Sequence, residues 1–166
     1  MAHTTVTDEV IKVADLVWLA TALLHRASPT RADFRVGEII EIAEREGLAP
    51  KARRATVRVH INQHCVGNLP PVSGTYRILY STGSNTRRLF RPGDAAAPGR
   101  KGKMMPHRDE VPVRYHGLLD WYADEYCGRA LPELQDPLLA LKGSGKSLWA
   151  DESSDNYVER LRKSWS

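Results

Sequence analysis

The chain of 166 residues has the length of one domain with an appended piece, and its 42% hydrophobic and 27% charged residues exclude a disordered or collagen-like protein. Its two cysteines cannot build a disulfide framework, so we expect reduced thiols and a cytoplasmic location. The apolar run from Val13 to Leu24 contains Asp15 and is shorter than the roughly 20 residues that span a bilayer, and its flanks do not fit a signal peptide. We therefore expect no membrane partner.

Two amphipathic helices open the chain. Helical spacing of apolar residues predicts the first over 8–26, where the run at 13–24 indicates a buried core helix. A short extended piece around 32–35 leads to a second helix over 36–46, which Gly47 ends as a C′ glycine.

The segment 51–66 fits two secondary structures. Thr56 to Ile61 alternates with the period of a strand, but helical spacing also holds over the whole segment. Two opposite apolar stripes compete for the core side of that helix: Val57, Ile61 and Cys65, or Ala52, Ala55, Val59 and Val66. We favour the helix, because a helix, a short turn and a second helix make a helix-turn-helix.

A polar stripe on this helix remains outside whichever apolar stripe faces inward. The stripe, at spacings that point in nearly one direction, consists of Arg53, Thr56, His60 and Gln63. A second polar arc, better placed for phosphates, consists of Arg54, Arg58 and Asn62.

A β-hairpin is predicted over 75–81 and 87–91 around a Gly83–Thr86 turn. Its candidate phosphate ligands are Arg77, Arg87, Arg88 and Arg91. Three helices followed by a basic hairpin predict an α+β fold of the winged helix-turn-helix type, with 51–66 as recognition helix and 75–91 as wing.

The rest of the chain predicts a linker and two helices. Residues 92–112 lack periodicity and indicate a mobile linker that carries Arg100, Lys101 and Lys103. Amphipathic spacing then predicts helices over 115–127 and 155–165. The predicted domains are a winged-helix domain over 1–94, a basic linker over 95–112 and a C-terminal helical extension over 113–166.

Charge is strongly segregated along the chain. Residues 51–108 hold twelve basic residues and one acidic residue, whereas 1–50 carry a net charge of −3 and 109–166 a net charge of −4. Such a basic segment indicates a polyanionic partner, nucleic acid above all. The alternative is a solvated basic surface that pairs with the acidic flanks.

Two runs of residues resemble known families. The run Ala55–Asn68, with the hairpin that ends at Arg88–Asp94, resembles a winged-helix-like bacterial domain of unknown function found near or fused to restriction and defence proteins, over roughly 8–94. This resemblance implies a DNA-binding or DNA-positioning module without catalytic residues. The runs 136–152 and 157–162 resemble the C-terminal tail of antitoxin-like proteins, which implies a partner-docking tail.

Motifs for catalysis or cofactor binding are weak. Gly143–Ser147 departs from a phosphate-binding loop, since Ala140 stands where that pattern requires glycine. The spacing of His60, His64 and Cys65 is compatible with zinc coordination, but Cys127, His107 or His116 would have to complete the ligand set. Half-buried structural roles are favoured for His64 and Cys65. We therefore predict no catalytic residue, no metal and no cofactor.

The leading hypothesis is duplex DNA binding, in a regulatory or defence role, by a protein that is not an enzyme. The candidate DNA-binding residues are Arg53, Arg54, Thr56, Arg58, His60, Asn62, Gln63, Arg77, Arg87, Arg88, Arg91, Lys101 and Lys103. One alternative is a protein-interaction adaptor or antitoxin-like module that docks a protein partner through the C-terminal helices. Another is a nucleic-acid-processing enzyme, and the sequence leaves homodimerisation open.

Overall fold

The computed structural model describes residues 10–50 and 53–128, which lie in the first of the two units into which the chain divides after Gly128. The elements are α1 (Val13–Ala27), β1 (Phe34–Arg35), α2 (Val36–Arg45), α3 (Arg54–Val59), β2 (Leu79–Gly83), β3 (Thr86–Leu89) and α4 (His116–Trp121). The predicted helix at 155–165, the glycine turn at 143–147 and the antitoxin-like runs lie outside the described residues. In the described ranges, no helix has the length and apolar character needed to cross a membrane.

Helix α1 runs through the centre of the fold. It begins at Val13 because Lys12 is extended, with φ −60° and ψ 143°. Its central residues are fully enclosed, including Trp18 at 0% exposure and the polar Asp15 at 0%. The prediction of a buried core helix at 13–24 is confirmed.

Helix α2 begins and ends where its sequence signals predict. The Glu38 carboxylate accepts a hydrogen bond from the Arg35 backbone N–H at 2.8 Å, which satisfies a free donor at the helix start. Gly47 adopts φ +68°, the left-handed conformation that ends helices and that glycine adopts without strain.

The segment 51–66 is helical from Arg54 to His64, so the strand alternative is wrong, and the helix ends before Cys65 and Val66. Helix α3 continues into a π-helical turn at His60–His64. Val57 and Ile61 are buried, whereas Val59 is 40% exposed, so the first of the two apolar stripes faces the core.

The sheet has three antiparallel strands in the order β1-β3-β2. Leu79 pairs with Leu89 across the hairpin, and Phe34 of β1 pairs with Arg87 of β3. The fold is therefore α+β, and its element order is compatible with a winged-helix-like layout. The hairpin is confirmed, but β2 begins four residues later than predicted, at Leu79.

Residues 75–77 pair with a later segment of the chain instead of joining β2. The Gly102 N–H donates to the Thr75 carbonyl at 2.8 Å, and the Arg77 N–H donates to the Lys103 carbonyl at 3.0 Å. A Cβ atom at Gly102 would lie 2.8 Å from the Thr75 oxygen, so this close approach requires glycine.

Arg100 joins three stretches of backbone. Its side chain is buried, with 4% of the residue exposed, and its guanidinium donates to six backbone carbonyls. The acceptors are the carbonyls of Gln63, His64, Leu69, Pro70, Gly74 and Tyr76, at 2.6–3.2 Å. Two of these carbonyls end the π-helical turn, where a cation also complements the helix dipole.

An ion-pair network holds the segment that contains Lys103 and Glu110 against α1. Lys103 Nζ lies 2.7 Å from Asp15 Oδ1 and 2.5 Å from Glu110 Oε2, and Lys12 also bonds Glu110 at 2.9 Å. Burial raises the pKa of Asp15, whereas hydrogen bonds from Lys103 and Lys12 lower the pKa of Glu110 to about 2. The structure thus differs from the expected mobile linker, because buried polar contacts hold residues 100–110 against the helices.

Helix α4 and the π-helical turn after it (Tyr122–Tyr126) pack into the same core. The Trp18 and Tyr122 rings meet edge to face with centroids 5.5 Å apart. The Tyr122 hydroxyl donates to the Phe90 carbonyl, and the Tyr126 hydroxyl donates to the Leu89 carbonyl at 3.2 Å. Residues 113–126 therefore complete the first unit, although the sequence indicated a separate extension.

We expect Arg100→Met to lower the free energy of unfolding by about 3 kcal/mol, because six carbonyls lose a shared charged donor. Arg100→Lys should recover less than half of that loss, since an ammonium cannot reach carbonyls on three sides. Urea denaturation measures both. The control is Lys101→Met at the exposed neighbouring residue, which should change stability by no more than about 0.5 kcal/mol.

Buried His25 should make the fold acid-sensitive. Burial, with Arg91, Arg88 and Arg31 nearby, lowers the pKa of His25 to about 3. The unfolded chain, where the pKa is 6.5, then binds more protons, so stability falls as the pH drops below 6.5. Between pH 6.5 and 4.5 we expect a loss of roughly 2–3 kcal/mol in urea denaturation.

The matched variants isolate this contribution. His25→Gln should reduce the pH dependence in that window, because no imidazole remains at position 25 to be protonated, whereas His107→Gln at an exposed position should keep the native slope. An unchanged slope in His25→Gln would contradict the assignment.

Candidate nucleic-acid interface

Helix α3 presents the most open polar surface among the predicted residues. Only Val57 and Ile61 of α3 and its π-helical turn are buried, and Arg53, Thr56, Arg58 and Gln63 are exposed. Arg53 and Arg58 have no ion-pair partner among the described residues. The sequence contains no acidic residue between Glu46 and Asp94, so this face lacks carboxylates of its own.

The middle of the predicted polar stripe is partly engaged within the helix. His60 Nδ1 lies 3.0 Å from the Thr56 carbonyl oxygen, and its ring meets the His64 ring edge to face at 4.7 Å. Asn62 Oδ1 accepts a hydrogen bond from Arg87 Nη2 at 3.3 Å. His60 and Asn62 therefore retain only part of their hydrogen-bonding capacity for a ligand.

Arg54 pairs with α2. Its Nη1 lies 3.0 Å from Glu44 Oε1, and the Glu44 side chain is only 16% exposed. The predicted phosphate ligand is thus largely neutralised by an acidic residue from the preceding helix.

Arg87 is an internal bridge between the hairpin and α3. Only 3% of the residue is exposed. Its guanidinium donates to the carbonyls of Ile61 at 3.2 Å, Gly83 at 2.9 Å and Thr86 at 2.8 Å. The prediction that Arg87 contacts phosphate needs correction, because its buried guanidinium already donates to these carbonyls and to the side chains of Ser81 and Asn62.

Arg88 is also buried. Only 5% of the residue is exposed, and its two terminal nitrogens bond the Asp94 carboxylate at 2.7 and 2.9 Å. Its guanidinium lies over the Tyr80 ring, 4.2 Å from the centroid. This two-point pairing with a largely buried acid corrects the prediction that Arg88 holds phosphate.

The other predicted cations differ in exposure. Arg91 lies over the Tyr126 ring at 4.1 Å, and Arg77 Nε donates to the Gly102 carbonyl at 3.0 Å, so both are half-buried. Lys103 belongs to the Asp15 and Glu110 network. Lys101 is exposed and has no ion-pair partner among the residues described.

Among the predicted cations, the structure therefore leaves Arg53, Arg58 and Lys101 exposed and without an ion pair to a described residue, with Arg77 partly accessible. Sequence reasoning overlooked the internal use of the others because their partners are remote, as with Asp15 for Lys103. Two acidic residues are local signals: Asp94 stands six residues after Arg88, and Glu110 stands seven residues after Lys103.

Within the described ranges, no three His, Cys, Asp or Glu side chains converge as a metal site would require. Cys65 is fully buried, and desolvation raises the pKa of its thiol to about 12. The Cys65 carbonyl accepts hydrogen bonds from the backbone N–H groups of Ile78 and Leu79 at 3.0 and 2.8 Å, where β2 begins.

Comparison of the chain with protein-family models, curated proteins and solved structures gives no match.

We expect Arg88→Ala to lower the free energy of unfolding by about 3 kcal/mol, because it leaves the largely buried Asp94 carboxylate unpaired. Arg58→Ala, at an exposed α3 position, should change stability by no more than about 0.5 kcal/mol. Urea denaturation of the two variants makes the comparison. Equal and small effects would show that Arg88 is not held as described.

Proposed function

We propose that this protein binds duplex DNA through α3, in the manner of a winged helix, with the β2–β3 hairpin beside it. The observation that carries the proposal is the exposed face of α3, which has no acidic residue of its own and where Arg53 and Arg58 accompany Thr56 and Gln63. A helix fits the major groove, where arginine pairs well with guanine and glutamine pairs well with adenine. The resemblance of the Ala55–Asn68 run to a winged-helix-like domain supports the same class of partner.

The hairpin contributes hydrogen bonds more than charge. Its tip, residues 83–86, is largely exposed and polar but carries no ionised side chain, and the arginines of β3 are buried. Hydroxyl and amide groups contact phosphate oxygens and set the register of a protein on DNA. The wing therefore positions α3 without adding much electrostatic attraction.

The internal pairing of basic residues sets the expected salt dependence. If half of the twelve basic residues at 51–108 contacted phosphates, the plot of log K against log salt concentration would have a slope of about −5. Four accessible cations, Arg53, Arg58, Arg77 and Lys101, give a slope of about −4.

We expect Arg53→Ala and Arg58→Ala each to weaken duplex binding several-fold and to reduce the salt slope by about 1. Each variant removes one cation, and with it the counterion that its contact with a phosphate would release. Fluorescence anisotropy with a labelled duplex at several salt concentrations measures both quantities. The control is Arg114→Ala, which removes an exposed arginine from the turn before α4 and should leave binding unchanged.

Absence of duplex binding at low salt, or equal weakening by all three variants, would contradict the proposal. A stoichiometric protein partner co-purifying without nucleic acid would favour the adaptor alternative.

A further inference from the structure

The exposed face of α3 has an apolar centre. Val59 is 40% exposed and lies two residues after buried Val57, about 200° around the helix, so it points away from the core. Ala55 and Thr56 precede Val59 by four and three residues and are also exposed, so their side chains adjoin it on the helix surface.

This valine is unusual in its position. Among the large exposed apolar residues of the described chain, Val59 alone lies on an α-helix; Val10, Leu69, Val72 and Val113 occupy loops or a short turn. Its immediate neighbour Arg58 is an exposed cation, and Arg53, the residue before the first residue of α3, is exposed as well. The partner of this face must therefore combine negative charge with a small apolar group.

Duplex DNA offers that combination in its major groove. The 5-methyl group of a pyrimidine projects there, between phosphate backbones, and small apolar side chains contact it. Resting on the proposed function, we infer that α3 recognises a pyrimidine 5-methyl group, of thymine or 5-methylcytosine, through Val59 with Ala55 and the Thr56 methyl.

The same chemistry sets DNA apart from RNA. Uracil lacks the 5-methyl group, and the major groove of A-form RNA is too narrow for side chains to read. An arginine beside the apolar group suits a neighbouring guanine, which arginine recognises by two hydrogen bonds.

The test compares duplexes that differ only in methyl groups. Random-sequence duplexes with thymine or with uracil form one pair, and duplexes with cytosine or with 5-methylcytosine form the second. Anisotropy titration of the full chain should show about fourfold tighter binding per contacted methyl, equivalent to about 0.8 kcal/mol. Preference in the first pair identifies thymine as the source, and preference in the second identifies 5-methylcytosine.

Two variants assign the preference to α3. Val59→Ala should bring the ratio close to 1, whereas Val113→Ala, which truncates an exposed valine on another element, should keep it. Both positions are exposed, so both variants should unfold at the native urea midpoint.

Equal affinity for methylated and unmethylated duplexes overturns this inference while leaving DNA binding intact. A methyl preference that survives in Val59→Ala also overturns it, since the methyl is then read elsewhere. Failure to bind any duplex overturns the proposed function itself.

Discussion

The buried guanidinium of Arg100 is the interaction on which the arrangement of α3 depends. Backbone carbonyls cannot bond one another, so the end of the π-helical turn, the 69–70 stretch and the 74–76 stretch need a common donor. A planar cation with five N–H groups meets that need at one point. Since Gly102 and Lys103 then pair with residues 75–77, the same segment also limits where β2 can begin.

Internal use of arginine changes what the charge of this chain means. The sequence concentrates basic residues at 51–108, yet Arg87 and Arg100 satisfy carbonyls and Arg88 satisfies Asp94. Their burial is possible because each guanidinium has several acceptors, which offset the cost of removing it from water. Of the predicted cations, Arg53 and Arg58 remain exposed at α3, so the proposed DNA binding combines modest electrostatics with contacts from one helix face.

The same packing explains why α3 is free to serve a ligand. Buried Val57 and Ile61 attach it to the core from one side, while Arg87 holds the Ile61 carbonyl and Asn62 from the hairpin. Within the described residues, a helix held on its inner side and at its C-terminal end leaves its outer face exposed. A preformed surface reduces the ordering cost of binding, which suits the DNA binding proposed for α3.

Local patterns predicted the elements that depend on local physics. Helical spacing identified α1 and α2, Gly47 marked the end of α2 through its positive φ, and alternating residues around a polar turn indicated the hairpin. The open polar face of α3 also followed from spacing, because a helix over this segment keeps Thr56 and Gln63 outside once Val57 and Ile61 are buried.

The sequence by itself determined the helices, the hairpin and the concentration of cations in the middle of the chain, since period, turn residues and charge are properties of neighbouring residues. Only the tertiary structure decided which apolar stripe of α3 faces inward and which cations remain at the surface. Those outcomes depend on partners far along the chain, such as Asp15 for Lys103 and the carbonyls around Arg100. Burial pairs groups by proximity in space, and no spacing rule along the chain records that proximity.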